Sequence, residues 1–171
     1  DNSLTIDFQK NNAGFADTLQ NALFANGYEI YFSRRDIRTV ENRLGVKYNF
    51  TNRMGITLRA RHYWSKVAPQ QFYELNKYGD VVTPSVAFTK NRNQNYNYFS
   101  TDMVYTWQFA QGSFINIVWK DISESFTRDF EKNYFSNFDK TISGPQANSF
   151  SIRVIYFLDY LTARKQLAKK K

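Results

Sequence analysis

The chain has 171 residues, with 23 Lys and Arg against 15 Asp and Glu for a formal net charge of +8, and aromatics make up 18% of it. That aromatic content, with 7 Gly and 3 Pro, excludes disordered, collagenous and proline-rich classes. No Cys and a single His, His62, exclude disulfide frameworks, Cys-ligated zinc, iron–sulfur clusters, thiol nucleophiles and His-cluster metal sites.

In chain order, Leu4, Ile6 and Phe8 alternate with Ser3, Thr5 and Asp7, a short strand pattern. Residues 9–28 lack that period and are expected as a long connection, while Glu29 to Arg38 either extend the next strand or add a hairpin arm. From 40 to 50, Val40, Leu44, Val46, Tyr48 and Phe50 hold one parity, and Glu41, Arg43, Gly45, Lys47 and Asn49 the other. A helix would smear these two sets around its circumference, so the segment is a strand with one apolar and one charged face. After Thr51-Asn52-Arg53, Met54, Ile56, Leu58, Ala60 and Trp64 alternate with Gly55, Thr57, Arg59, Arg61 and Tyr63, completing a tight antiparallel hairpin.

The figure repeats downstream. Phe99, Met103, Tyr105, Trp107 and Phe109 alternate with Ser100, Asp102, Thr106 and Gln108. Across Ala110-Gln111-Gly112, Ile115, Ile117 and Trp119 oppose Asn116 and Lys120. A last run places Phe150, Ile152, Val154, Tyr156, Leu158 and Tyr160 against Ser149, Ser151, Arg153 and Asp159. Connections alternate strictly between long (9–28, 66–95, 122–147) and short (51–53, 110–112), as in membrane barrels with short periplasmic turns and long extracellular loops. The strands 37–50, 96–109 and 148–160 then run inward and 54–65 and 113–121 outward. No apolar run approaches the ~20 residues of a spanning helix, and no signal peptide is recognisable.

The expected fold is all-β: an antiparallel transmembrane β-barrel portion of about six strands over residues 1–160, followed by a basic periplasmic tail over 161–171. Six strands fall short of the ~8 of the smallest such barrels, so either two more strands are hidden in 9–38 or, the preferred expectation, the chain is the C-terminal part of a larger barrel. Val40, Leu44, Val46, Ile56, Leu58, Met103, Ile115, Ile117, Ile152, Val154 and Leu158 are then lipid-facing, and Glu41, Arg43, Lys47, Arg59, Arg61, Asp102, Lys120, Arg153 and Asp159 line the lumen. Tyr48, Phe50, Trp64, Trp107, Phe109, Tyr156 and Tyr160 are expected as interface aromatics, with Tyr63, Tyr96 and Tyr98 at outer strand ends. The competing fold is a soluble antiparallel sandwich or lipocalin-like barrel, whose apolar parity faces a core. Loops of 26–30 residues disfavour it.

No catalytic, cofactor or metal residues stand out. Asp36, Asp102 and Asp159 lack the spacing of a metal site or an activated nucleophile, and His62, beside Tyr63 and Trp64, reads as an interfacial side chain rather than a general base. The charged inner set either attracts anions to a water-filled passage or pairs into a filled interior. Phe72, Tyr73, Tyr78 and Phe88 in the second long loop, and Phe126, Phe130, Tyr134, Phe135 and Phe138 in the third, either stack on sugars or a partner protein or cap the barrel mouth. Much of the positive excess sits in the tail, from Arg164 to Lys171, and no nucleic-acid motif accompanies it.

The run 35–42 (Arg-Asp-Ile-Arg-Thr-Val-Glu-Asn), the segment 47–55, the stretch Arg59-Ala60-Arg61-His62-Tyr63-Trp64-Ser65, the block 102–110 and the ending Tyr156-Phe157-Leu158-Asp159-Tyr160 together resemble the C-terminal part of a large Bacteroidota family. Its members carry an N-terminal domain similar to family-9 carbohydrate-binding modules, followed by a long domain of unknown function read as an outer-membrane barrel. The resemblance covers roughly residues 30–160 and implies outer-membrane location and barrel architecture, with no activity or catalytic residues to transfer. The expected function is a non-enzymatic surface scaffold or subunit of an envelope complex, linked to glycan binding through the additional domain. A channel for small anionic solutes and an outer-membrane hydrolase are the alternatives. Expected partners are outer-membrane lipid or lipopolysaccharide, envelope proteins and glycan, with no cofactor and no nucleic acid.

Overall fold

A computed structural model describes residues 1–22, 27–131 and 133–159. Among them seven antiparallel strands form one sheet: β1 (Asn2–Gln20), β2 (Tyr28–Thr51), β3 (Met54–Leu75), β4 (Val81–Val82), β5 (Gln94–Ala110), β6 (Ser113–Thr127) and β7 (Gln146–Ile155). The helix α1 (Tyr134–Ile142) lies between β6 and β7. The spatial order is β1-β2-β3-β5-β6-β7, with β4 paired to the end of β3 at Glu74 and Leu75. All six long strands are therefore paired in chain order, and Glu29 to Arg38 extend β2 instead of forming a separate arm. The sheet stays open, with β1 and β7 at its two edges.

The two short connections are two-residue turns. Thr51 pairs with Met54 across Asn52-Arg53, and Ala110 with Ser113 across Gln111-Gly112. Gly112 takes φ +71°, a left-handed conformation that glycine enters without the Cβ penalty.

The long connections are shorter than their sequence suggests, because the strands run past the points where alternation fails. β1 continues to Gln20 through two irregularities, at Lys10-Asn11 and at Ala16. Asn11 adopts φ +56°, and its backbone N–H donates to Asp36 Oδ1 at 3.1 Å, a position asparagine tolerates better than most residues. β3 continues to Leu75 through an irregularity where Arg34 faces Gln71 but Arg35 faces Pro69. Proline is accommodated at such bulges because the ladder there already lacks a bond. Each bulge flips the parity beyond it, which erases the period-two signal without ending the strand.

The third long connection contains α1, unforeseen in the sequence. Asn133 caps it, its side chain accepting from Ser136 N–H at 2.8 Å, and Lys140 stands in the last turn, where a cation complements the helix dipole. Ser143, Gly144 and Pro145 end it. β7, expected to reach residue 160, ends at Ile155. Tyr160 and the expected tail over 161–171 lie outside the described residues.

Little of the chain is interior. Among the described residues the buried apolar side chains are Tyr31, Val40 and Trp64, and the chain exposes 12451 Å². A compact monomer of 20.2 kDa exposes about 8,800 Å². The excess comes from a single sheet with both faces largely open.

Candidate functional site

Strand register brings the apolar parities of all six long strands onto one face. Val46, Leu58, Met103, Trp119 and Phe150 form one row across β2, β3, β5, β6 and β7, and Tyr48, Ile56, Tyr105, Ile117 and Ile152 form the next. Met54, Trp107, Ile115 and Val154 make a third row beside the turns. Leu4, Ile6 and Phe8 join the same face opposite Asn42, Val40 and Arg38. Much of this surface is open: Ile152 is 58% and Val154 60% exposed, and Leu44, Val46, Tyr48, Phe50 and Leu158 are exposed as well. Near the turns Tyr48 meets Phe50 edge-on at 5.1 Å, and Phe109 stacks with Tyr156 at 6.3 Å.

The opposite face carries the charges. Glu41, Arg43, Lys47, Arg59, Arg61, Asp102, Lys120 and Arg153 share it by register, while Asp159 follows the end of β7. Glu41 accepts from Arg43 Nε at 3.0 Å and Nη2 at 2.9 Å, and also from Arg61. Lys120 Nζ stands 3.4 Å from Asp102. The six cations of this set outnumber the two anions among them, so the half of the face nearer the turns is net positive, while Asp7, Asp17, Glu29, Glu74 and Glu124 join the same face toward its far end. An open hollow of about 600 Å³ is lined there by Arg43, Arg59, Arg61, Ser100 and Asp102.

The two longest connections fold onto opposite faces. The β3–β5 connection crosses the charged face at the end remote from the turns. Its Phe88 ring lies 4.8 Å from Tyr31 and 4.4 Å from Phe72. Its Arg92 donates to Asp17, and Lys90 Nζ lies 3.9 Å from the same carboxylate. Partial burial works against ionisation of Asp17, but the hydrogen bond from Arg92, the Thr18 backbone N–H and the charges of Arg92 and Lys90 hold its carboxyl below the ordinary 3.8. Burial, reinforced by its hydrogen bond to Glu29 at 2.9 Å, pushes the Tyr31 phenol up to about 12.

The β6–β7 connection instead packs α1 on the apolar face, where the rows turn polar. Trp64, expected at an interface, is 2% exposed, and its indole N–H donates to Asn95 Oδ1 at 2.6 Å. His62, expected as an interfacial side chain, is 3% exposed, with Nδ1 2.9 Å from the Tyr134 hydroxyl and its ring 5.0 Å from Phe138. Asn137 donates to Asn97, and the Ser123 hydroxyl donates to the Thr141 carbonyl at 2.6 Å. Val40 is also buried rather than outward-facing. Tyr63, Tyr96 and Tyr98 share the charged face, with Tyr63 and Tyr96 rings 6.1 Å apart.

The polar seat of α1 escaped sequence reasoning. Asn95, Asn97, Ser123 and Ser125 occupy apolar-parity positions in β5 and β6. Side chains of that kind on an apolar face require polar cover, and Asn133 with Gly144-Pro145 bracketed the helix that supplies it.

No curated protein and no solved structure matches the chain. The model of a family described as a domain of unknown function, DUF5916, matches residues 1–167, and the chain belongs to that family.

Proposed function

We propose that this chain is part of the wall of an outer-membrane β-barrel of Gram-negative, Bacteroidota type, with its apolar face against lipid and its charged face lining the interior. The role is that of a non-enzymatic surface scaffold or envelope-complex subunit, linked to glycan binding through a carbohydrate-binding domain elsewhere in the polypeptide.

The carrying observation is the exposed apolar face, aligned over six strands with a charged face behind it. The slope of that face supports the reading. Its centre lies at Ile6 in β1, level with Val40, and at Ile152 in β7, level through Ile117, Tyr105 and Ile56 with Tyr48. That is a drift of eight positions over five strand-to-strand steps, or about 1.6 residues per step. Strands tilted by roughly 45°, at ~4.8 Å spacing and ~3.3 Å rise, cross a level slab with a slip of about 1.4 residues per step. Both long edges, β1 and β7, present unpaired backbone groups that a lipid-facing wall must pair, and six strands are fewer than the ~8 of the smallest barrels. Further strands of the same barrel complete the ladder.

The chain lacks cysteine, so single replacements in it report cleanly once any cysteine elsewhere in the polypeptide is changed to serine. In the full-length protein in its native membrane, Ile152→Cys takes up an apolar photolabel and resists a water-soluble maleimide, whereas Arg153→Cys reacts with the maleimide. Equal reactivity of the two, or recovery of the protein as a detergent-free soluble monomer, defeats the proposal.

The positive excess on the half of the charged face nearer the turns favours a second reading, a passage for small anions, because fixed charges in a narrow low-dielectric channel focus the field. Stable anion-selective current from the full-length protein in planar bilayers supports this reading, and silence supports the scaffold.

A further inference from the structure

Two cations stand where the sheet is otherwise apolar. Arg38 in β2 and Lys66 in β3 share the parity of Val40 and Trp64, and among the described residues no other Lys or Arg holds that parity on the strands between this row and the turns. They are directly opposed, with Phe8 of β1 completing the row. Their Cβ atoms therefore stand about 4.5–5.5 Å apart, and like charges so placed repel.

Neither cation has an anionic partner in contact. Arg38 is exposed and, among the described residues, makes no hydrogen bond or ion pair; its guanidinium lies over the Phe8 ring at 5.2 Å. Lys66 Nζ lies over the rings of Phe130 at 4.7 Å and Trp64 at 5.4 Å, and donates to the Glu131 carbonyl at 3.3 Å. The nearby carboxylates form no ion pair with either. Glu131 accepts from Lys140 and from the Ser136 hydroxyl, and Asp36, one row further out, accepts the Asn11 N–H. The aromatic faces hold both cations at an open hollow of about 310 Å³, whose lining includes Phe8, Lys10, Asp36, Arg38, Lys66 and Phe130.

The depth of this row suits a headgroup. Along the slope of the apolar face, Arg38 stands about four residues and Lys66 about five beyond the centre, on the side remote from the turns. At ~3.3 Å rise and roughly 45° tilt these are heights of about 8 and 12 Å, and the apolar band of such a barrel reaches about 12 Å from its centre. Long basic side chains at that depth carry their charge to the headgroup layer. Two opposed cations, with Lys10 as a third at the rim, match an anion of more than one charge, which a phosphate monoester is. The exposed Leu4 and Ile6 continue the apolar surface beneath it.

We propose that this hollow binds the phosphate monoester of an outer-leaflet lipid headgroup, gripped by Arg38 and Lys66, with the acyl chains descending over Ile6 and Leu4. The site deepens the wall reading above and rests on it, since a lipid-facing sheet is what brings a headgroup to this row.

The test uses the full-length protein in phosphatidylcholine nanodiscs with a trace of one of two photoreactive lipids, a phosphatidic acid or a phosphatidylcholine, each with a diazirine midway along one acyl chain. The phosphatidic acid is expected to label Leu4–Phe8 about tenfold more than the phosphatidylcholine does, the scale of one hydrogen bond to a charged group. Arg38→Gln and Lys66→Gln, made separately so that one folded variant suffices, are each expected to cut that preference below about threefold. Lys47→Gln, on the charged face, should keep it, and both lipids should label Phe150–Val154 alike throughout. Equal labelling of Leu4–Phe8 by the two lipids, a preference that survives both variants, or one lost equally in Lys47→Gln overturns the site and leaves the wall standing. Absence of label at Phe150–Val154 overturns the wall itself. Loss of the preference on adding excess inorganic phosphate overturns the assignment to a lipid in favour of free phosphate.

Discussion

Ile152→Arg distinguishes a lipid-facing sheet from a water-facing one by its energy. Ile152 is 58% exposed on β7 and ends the row Tyr48, Ile56, Tyr105, Ile117, which lies between the Leu44 row and the aromatic rows at the turns. If that face met water, an arginine at a position already more than half open would change stability by about 0.5 kcal/mol or less. If it meets hydrocarbon near mid-depth, the same change costs about 2–4 kcal/mol, roughly 30- to 700-fold in the folding equilibrium, falling to ~0–1 kcal/mol near an interface. Tyr156→Arg, beyond the end of β7 and stacked on Phe109, falls in the second class. Ser151→Arg, on the charged face opposite Val118, is expected to stay within about 0.5 kcal/mol. Urea unfolding of the full-length protein in phospholipid vesicles, followed by tryptophan fluorescence, measures all three. An Ile152→Arg penalty no larger than that of Ser151→Arg refutes the reasoning.

Further outcomes follow from the loops and turns. Because the Asp17 carboxyl is held below 3.8, its contribution to docking the β3–β5 connection is complete above that ordinary value and is lost as pH falls through the lowered one. A spin label at exposed Val86 should therefore gain mobility only in that acid range, and Asp17→Asn should give the mobile spectrum at neutral pH. Gly112→Ala should cost about 1–2 kcal/mol from the left-handed backbone alone, and its new Cβ would stand 2.9 Å from Phe157 Cβ; a lowered urea midpoint reads this. Asn137→Leu leaves the buried Asn97 oxygen without its donor and should cost about 1–3 kcal/mol, visible as faster proteolysis after Lys140.

Strand parity was legible in the sequence because it is local. Val40 to Phe50 and Met54 to Trp64 announce a hairpin through side-chain alternation and a polar turn, and their pairing, Val46 with Leu58 and Leu44 with Ala60, follows from the turn length. The second half of β1 and the end of β3 were illegible because Asn11, Ala16 and Gln70 each insert a residue and reverse the parity. Cover is not local either. Trp64 and His62 hold the parity of the apolar face, yet what lies over them is decided by a helix about 70 residues further along. The alternation of Leu58 and Arg59 reads identically in a half-buried soluble strand and in a membrane strand. The register, which sets ten or more apolar side chains side by side in the open, is what supports the membrane reading proposed above.

The opposite destinations of the two long connections bear on the choice between scaffold and passage. Phe88, Lys90 and Arg92 of the β3–β5 connection are drawn over the charged face by Tyr31, Phe72 and Asp17, while α1 seats on the other face and leaves the charged one untouched. In a barrel wall, the first arrangement places an aromatic ring and two cations across the outer mouth of an interior that is positive toward the turns. The second puts a helix with Phe135, 79% exposed, on the outer circumference, where a partner or a lipid can reach it. A passage needs the first connection to leave room, and its ionic anchor, beside the Phe88 contacts with Tyr31 and Phe72, is one carboxylate with two basic partners, which a single substitution removes. A scaffold needs only the second. Asp17→Asn therefore discriminates between them: conductance that appears or rises in that variant, with α1 undisturbed, identifies the β3–β5 connection as a closure over a real channel. Unchanged silence identifies a filled wall whose working surface is the outside.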